Sequence, residues 1–395
     1  VKQYDVVIAG GAMAGATLAI ALNTLSNGLL KIAVVEAVAP KLDQHPGYDA
    51  RSIALSLGSA NILRDIGIWP PMAEVATPIS HIHVSDQGHA GIVHVDADEQ
   101  AVDALGYVVE LADAGAVLHK QLDELEPVSL FCPAVITDIK RSQAAVTLTL
   151  DQGDTISGKL LVTADGALSA CCEMLNMGRS EYDFEQIAVI ANITTAEAHQ
   201  GRAFERFTPY GPVALLPMSE GRSSLVWCIR PEEQYKVMEW SDEQFLTELQ
   251  KAFGWRLGQL VKTGSRCAYP LLLRQSQRLI SHRVAVVGNA AQTLHPIAGQ
   301  GFNLGLRDVM TLAEEVAKGL EAGEEPGSAS ILSRYRQRRT PDREATINMT
   351  AGLVSLFANN SFPLIAGRNI GLMAMSLCDI LKTPLVRRAM GQVER

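Results

Sequence analysis

At 395 residues, with 47% apolar and 19% charged content, the chain can bury a large core and exceeds one average domain, so two interlocked domains are expected. A net charge of −9 argues against nucleic acid as a partner, and six scattered cysteines suit neither a C-x-x-C redox pair nor a zinc site, so no metal is expected. No apolar run approaches the roughly 20 residues of a membrane-spanning helix, and no secretory signal pattern opens the chain, which makes a cytoplasmic protein the expectation.

Residues 4–9 form an apolar, β-rich run, Met13–Leu25 carries small and apolar residues at helical spacing, and residues 31–35 predict a second buried strand that ends in Glu36. Buried strands flanking a helix are the βαβ unit of a parallel sheet. Residues 79–85 and 91–95 predict strands of a separate sheet, and residues 112–125 a helix. Val128–Phe131, Val146–Leu150 and residues 160–164 predict strands that rejoin the first sheet. Residues 183–271 hold short strands punctuated by Gly and Pro, and residues 283–287 another buried strand. From Asn303 onward the pattern is mostly helical, with turns near residues 323–327 and at Pro363.

The whole predicts an α/β chain. A Rossmann-like nucleotide-binding domain is assembled from residues 1–78, 104–180 and 268–325. A mostly antiparallel β-sheet domain for the substrate, residues 79–103 and 181–267, is inserted into it, and residues 326–395 form a C-terminal helical segment. That segment holds ten Lys or Arg against four Asp or Glu, the balance of a docking surface for something anionic.

Three segments carry chemistry. The first is Gly10-Gly11-Ala12-Met13-Ala14-Gly15, between a strand and a helix. Gly10 permits the tight turn, Gly15 lets the helix pack close to the strand, and the helix N-terminus offers N–H groups and a partial positive charge to a pyrophosphate. Ala12 stands where G-x-G-x-x-G has its middle glycine, the smallest departure a side chain allows. Glu36 lies 21 residues beyond Gly15, at a strand end where a carboxylate can accept both ribose hydroxyls of an adenosine. The second segment is Asp165-Gly166, closing a buried run, which a plain strand-to-turn ending would also produce.

The third is Gly288-Asn289-Ala290-Ala291, followed by His295-Pro296-Ile297-Ala298-Gly299-Gln300-Gly301-Phe302-Asn303 and a run to Asp308. A buried strand ending at Gly288 lets Asn289 project toward a ligand. Gly299 and Gly301 keep the loop slim, and a helix beginning near Asn303 turns its first N–H groups toward a developing negative charge. No packing requirement demands so many Gly, Pro and Asn residues at these spacings.

These segments resemble the FAD-dependent aromatic hydroxylases whose founder acts on p-hydroxybenzoate. Residues 295–308 resemble, more narrowly, the ubiquinone-biosynthesis hydroxylases of that group. Arg51-Ser52-Ile53-Ala54-Leu55, Phe204-Glu205-Arg206-Phe207, Gly211-Pro212-Val213-Ala214-Leu215-Leu216-Pro217 and Gly367-Arg368-Asn369-Ile370-Gly371 carry the same likeness, which extends over essentially the whole chain. The resemblance implies FAD as cofactor, its pyrophosphate on Gly10, Gly11, Ala12 and Gly15, its adenosine ribose on Glu36, and Arg51 near the pyrophosphate. Asp165 and Gly166 would lie by the FAD and the NAD(P)H route, and Gly288 and Asn289 at the ribityl chain. Pro296, Gly299, Gln300, Gly301 and Asn303 would lie at the isoalloxazine. Asn289 replaces an Asp of the wider family and lacks its charge, which weakens that contact. Cys172 stands where the wider family has Arg.

The activity implied is a monooxygenase that hydroxylates the ring of a polyprenyl phenol such as 2-polyprenyl-6-methoxyphenol. NAD(P)H would reduce the flavin, and O₂ would add at its C4a position to give the hydroperoxide that delivers oxygen. A single dinucleotide fingerprint implies that NAD(P)H visits transiently. His295 stays open between a base and a structural hydrogen-bonder, with Pro296 beside it near the flavin. Arg334, Arg336, Arg338 and Arg339, beside the apolar stretches 353–357 and 364–381, are either a solvated helix face or a surface for the inner membrane or a quinone-biosynthesis complex. Two other functions stay in play. A flavin-dependent isoprenoid reductase or dehydrogenase would show no oxygen uptake linked to a hydroxylated product. A flavin-stabilised, non-catalytic assembly factor, to which Ala12, Asn289 and Cys172 point, would retain flavin poorly.

Overall fold

Residues 6–9 are Val-Val-Ile-Ala, apolar on both faces, and that composition sends the strand Lys2–Ala9 to the middle of a sheet covered on both sides. The computed structural model describes residues 1–39, 51–358 and 361–393. Lys2–Ala9 pairs in parallel with Ile32–Val35 on one side and with Thr155–Thr163 on the other. Val128–Phe131 and Val284–Val286 extend the parallel run at its two ends. Ile136–Arg141 and Val146–Leu150 lead into Thr155–Thr163 as an antiparallel meander. The stretches expected to rejoin the first sheet therefore do so. Helices Met13–Leu25 and Gln300–Glu321 pack against each other, with residues 15–22 of the former all buried.

The second sheet is nine-stranded among the described residues. Its centre, Arg179–Thr195, Arg222–Ile229, Gly211–Pro217 and Arg202–Thr208, is antiparallel throughout. His81–Asp86 joins Arg202–Thr208 in parallel and pairs with Ile92–Asp96. The helix Asp242–Phe253 covers one face, burying Phe245, Leu249 and Phe253 against Val213, Leu215 and Trp227. The strand Cys267–Ser276 hydrogen-bonds to Arg179–Thr195, and Gln292–Thr293 to Cys267–Ser276. Residues 268–276, expected with the nucleotide-binding part, thus belong to this sheet by pairing. Most of that strand is half-buried, the mark of a sheet with one wet face and not of a buried parallel strand.

The tail folds as Ala329–Ala358, Phe362–Leu377 and Asp379–Ala389. The arginine run does not form the open basic face expected of it. Arg339 is fully buried and donates to Asp308 at 2.7 Å, with Asp342 at 2.9 Å, and Arg307 donates to Asp342 at 2.8 Å. Arg334 pairs with Glu315 and Glu324, and Arg338 with Glu314 and Glu315. The positive charge of this helix is largely neutralised by the acidic side of Gln300–Glu321. Only Arg336 of the four is exposed. Further along, Arg368 is buried and forks onto Asp86 of the second sheet at 2.8 and 3.3 Å, while Asn369 donates to the same carboxylate and accepts from Gly91 N–H. The Gly-Arg-Asn motif is a latch between tail and sheet.

Among the described residues no single helix is long and apolar enough to cross a membrane.

Candidate functional site: one cavity with a backbone end and an apolar end

The carboxyl ends of the parallel strands open onto a cavity of about 1540 Å³ that continues between the second sheet and the tail. Single-ligand sites usually measure about 300–1,000 Å³, so the space suits a cofactor and a second molecule together.

One end is built from backbone. Gly10 follows the central strand at φ +94°, and a Cβ there would stand 2.5 Å from the Ala164 carbonyl oxygen. A Cβ on Gly15 would stand 1.8 Å from the Gly10 carbonyl oxygen, so the helix can seat on the strand only through glycine. Ala12 takes φ −71° and ψ −165°, an extended conformation open to any residue, and its methyl is exposed at the cavity wall. The missing glycine therefore costs no backbone strain. Glu36 is fixed by two N–H donors, Gly11 at 2.6 Å and Val38 at 2.9 Å, with its side chain at the cavity wall.

Helices Leu57–Asp65, Ala170–Met174 and Asp242–Phe253 are capped by Ser56, Ser169 and Ser241, whereas Trp69–Val75, Leu111–Asp123, Phe362–Leu377 and Asp379–Ala389 have no side-chain cap. Met13–Leu25 and Gln300–Glu321, whose N-termini face the cavity, have no side-chain cap. Their first N–H groups and the positive ends of two helix dipoles are directed at whatever the cavity holds. A chain of close glycines, a fixed carboxylate and two uncapped helices fit a dinucleotide with a central pyrophosphate.

Most of the residues singled out from sequence meet here. Gly10, Gly11, Ala12, Glu36, Arg51, Asp165, Gly166, Gly288, Asn289, Pro296, Gly299, Gly301 and Asn303 all line the cavity, whereas Gly15, His295 and Gln300 do not. Asp165 accepts from Ser169 Oγ at 2.5 Å and from Cys171 N–H at 3.0 Å, which ties it to the turn that follows. Asn289 sits exposed in the turn Gly288–Ala290, just past the buried strand Val284–Val286. The helix expected near Asn303 begins three residues earlier, at Gln300. Asn303 accepts from Ser56 N–H at 2.9 Å and donates to Ala54 O and Gly299 O at 2.8 and 2.6 Å, stapling loop to strand. Gln300 is buried and donates to Ala389 O in the tail. Cys172 is buried beside Thr163, and burial pushes its thiol up, away from reactivity.

His295 is 1% exposed and engaged on both ring nitrogens. Nδ1 accepts from Ile297 N–H at 3.3 Å, so the proton belongs on Nε2, which donates to Gln186 Oε1 at 2.9 Å. Burial lowers its pKa to about 4, and the ring is neutral at ordinary pH.

The other end is built from side chains. Val84, Ala214, Leu216 and Val226 of the second sheet and Leu353 and Leu372 of the tail wall it, with Glu205 among them. This chamber was not picked out from sequence. In Gly211–Pro217 the buried Val213 and Leu215 pack on the helix side while Ala214 and Leu216 face the cavity, so the strand is apolar on both faces and its ligand face carries no distinguishing pattern.

The FAD binding domain family model matches residues 3–350. Ubiquinone hydroxylase UbiL of Rhodospirillum rubrum is 35% identical over 393 residues, covering all of this chain and 91% of the relative. The 3-demethoxyubiquinol 3-hydroxylase of Escherichia coli is 30% identical, covering 99% of each chain. The crystal structure of p-nitrophenol 4-monooxygenase PnpA from Pseudomonas putida DLL-E4 has the same fold, with a TM-score of 0.78, 17% identity and 98% of each chain covered.

Proposed function

The chain belongs to the FAD-dependent hydroxylases of ubiquinone biosynthesis, and from that premise we propose that it hydroxylates the ring of a polyprenyl phenol, consuming NAD(P)H and O₂. The observation that carries this reading is the single cavity joining a glycine-walled, dinucleotide-shaped end to an apolar chamber. FAD, when bound, supplies acceptance of hydride and activation of O₂. The balance is one ring hydrogen replaced by hydroxyl, with NAD(P)H oxidised and the second oxygen atom leaving as water.

The residues have separable tasks. Gly10, Gly11, Ala12 and the uncapped helix N-termini would hold the pyrophosphate, with Glu36 on the ribose and Asn289 on the ribityl chain. Pro296, Gly299 and Gly301 would support the ring system. His295, held on both nitrogens, would position that loop and move no proton. The apolar chamber would seat the phenol and exclude water. In this reading the first sheet with Met13–Leu25 and Gln300–Glu321 forms the cofactor domain, and the second sheet forms the substrate domain.

The substrate's prenyl tail also gives the tail surface a task. Leu377, Ile380 and Ile370 are 87%, 83% and 67% exposed on the two last helices, whose Leu364 and Leu385 also line the cavity. We propose that this face rests on a lipid surface and admits the substrate from it. Flotation with liposomes should carry the protein upward, and Leu377→Glu with Ile380→Glu should leave it in the soluble fraction. Recovery of the unaltered protein wholly in the soluble fraction would refute the contact.

The reaction is tested with FAD-loaded protein, NADH or NADPH, ¹⁸O₂ and a short-chain prenyl-methoxyphenol. One labelled oxygen on the ring is expected. Flavin reduction without labelled product would overturn the hydroxylase.

A further inference from the structure

We propose that the outer face of the second sheet, turned away from the cavity, binds a phosphate group between Arg206, Arg256, Ser85 and His83.

The placement follows from strand period and register. Val84 lines the cavity, so its neighbours His83 and Ser85 project from the opposite face. Ser85 pairs with Arg206, and His83 with His94 on Ile92–Asp96, which brings all four side chains to that face. Arg206 also pairs with Val213, which packs under the helix Asp242–Phe253. The end of that helix and the turn after it lie over the group. Arg206 Nη1 donates to Phe253 O at 2.7 Å, and Arg256 Nη1 donates to the same oxygen at 3.3 Å. Gly254 between them stands at φ +89°, and a Cβ there would lie 2.5 Å from Arg206 Nη1.

Two observations point to an anion. The first is charge without a counter-charge. Among the described residues neither arginine has a carboxylate partner, whereas Arg222, Arg266 and Arg274 of the same region pair with Glu110, Asp242 and Glu181. Burial first, and then the like charges of Arg256, His94 and Arg206, lower the His83 pKa to about 4. Burial and the charge of Arg256 lower that of Arg206 as well. The second is a set of donors without acceptors. Ser85 Oγ, His83 Nε2 and Arg206 Nε are buried and have no hydrogen-bond partner, and Ser85 is 1% exposed. A hydroxyl, a guanidinium N–H and an imidazole in its Nε2–H tautomer all donate. Buried donors are normally satisfied, and an oxyanion would accept from these while relieving the repulsion between the cations. Donors that arrive from a strand, its neighbour and a covering turn suit a tetrahedral, doubly charged group better than a planar carboxylate. Arg206 and Arg256 are half-buried and His94 is exposed, so the face is open to solvent.

The test titrates FAD-loaded protein with inorganic phosphate at constant ionic strength, with chloride as the balancing anion, by calorimetry and by melting temperature. Saturable binding and a rise in melting temperature are expected. Arg256→Gln should weaken phosphate by tenfold or more. Ser85→Ala removes an oxygen that has no partner, so it should weaken phosphate by about tenfold and leave the phosphate-free melting temperature unchanged or higher. A purely structural serine would lower that temperature and leave phosphate binding alone. The Ser85 variant also serves if the Arg256 variant folds poorly. Phosphatidylcholine vesicles with and without phosphatidic acid form the second arm. Phosphatidic acid-dependent binding that Arg256→Gln abolishes would assign the group to a lipid headgroup, and binding of inorganic phosphate alone would assign it to a soluble ligand. No response to phosphate in either form, or a response that neither variant weakens, would overturn the site.

Discussion

The two ends of the cavity are made by opposite means. At the cofactor end the surface is main chain: glycines at Gly10, Gly11 and Gly288, and two helices begun without a capping side chain. At the other end it is side chain, mostly apolar, drawn from one face of the second sheet and from the tail. A main-chain surface is rigid and indifferent to side-chain identity until bulk is added. A side-chain surface can be reshaped one residue at a time. One end can therefore keep a cofactor fixed while the other is adapted to a substrate.

The comparison can be broken most sharply at Gly15. Gly15→Val puts side-chain carbon where the Gly10 carbonyl already sits, so the helix must leave the strand. FAD should be lost completely on gel filtration, with a large drop in thermal stability, whereas Leu216→Ala at the other end should retain the flavin and alter only substrate affinity. Retained flavin in the Gly15 variant would mean that the helix N-terminus does not hold it.

The tail latch is next in size. Arg368→Ala leaves Asp86 buried with Asn369 and a partly exposed His89 as remaining partners, a cost of about 3 kcal/mol. Urea unfolding and early proteolysis within Phe362–Leu377 would register it, and FAD binding should be little affected.

His295 sharpens the contrast through pH. Its folded pKa, about 4, lies below the ordinary histidine value of 6.5, so between these values the unfolded chain binds more protons. Stability contributed by the neutral ring is complete above pH 6.5 and is lost as pH falls toward 4, by up to about 3 kcal/mol. Melting curves over that window should flatten in His295→Gln. The smallest effect is expected at Glu36, where Glu36→Gln should weaken FAD roughly tenfold by fluorescence titration, through loss of the charged acceptor for ribose hydroxyls.

How far the sequence could be read follows the same division. Met13–Leu25, the buried parallel strands and the glycine turns were legible because each rests on a local constraint: an apolar run, a helical period, or a position where a Cβ cannot fit. Asn289 reaches the cavity wall, but by the turn Gly288–Ala290 and not by a strand end at Gly288, since the strand stops at Val286. The chamber was not legible, since Ala214 and Leu216 look the same in sequence as the core residues Val213 and Leu215 beside them. The tail arginines misled for a related reason. Charge is visible in sequence, but its partners Asp308, Glu314 and Glu315 lie on Gln300–Glu321 and Glu324 in the turn after it, and only packing reveals that the charges cancel. Residues 268–276, expected with the nucleotide-binding part, pair with the second sheet, and strand pairing over such separations leaves no local mark.

The two uncapped helix N-termini at the cavity bear on how much of this protein a cell can keep. Main-chain donors aimed at an anion leave the fold incomplete until the anion arrives, and a ligand at a hundred times its dissociation constant adds about 2.7 kcal/mol to stability. Flavin supply would then govern survival of the polypeptide as well as its turnover, and a shortage would be felt first as a fall in abundance.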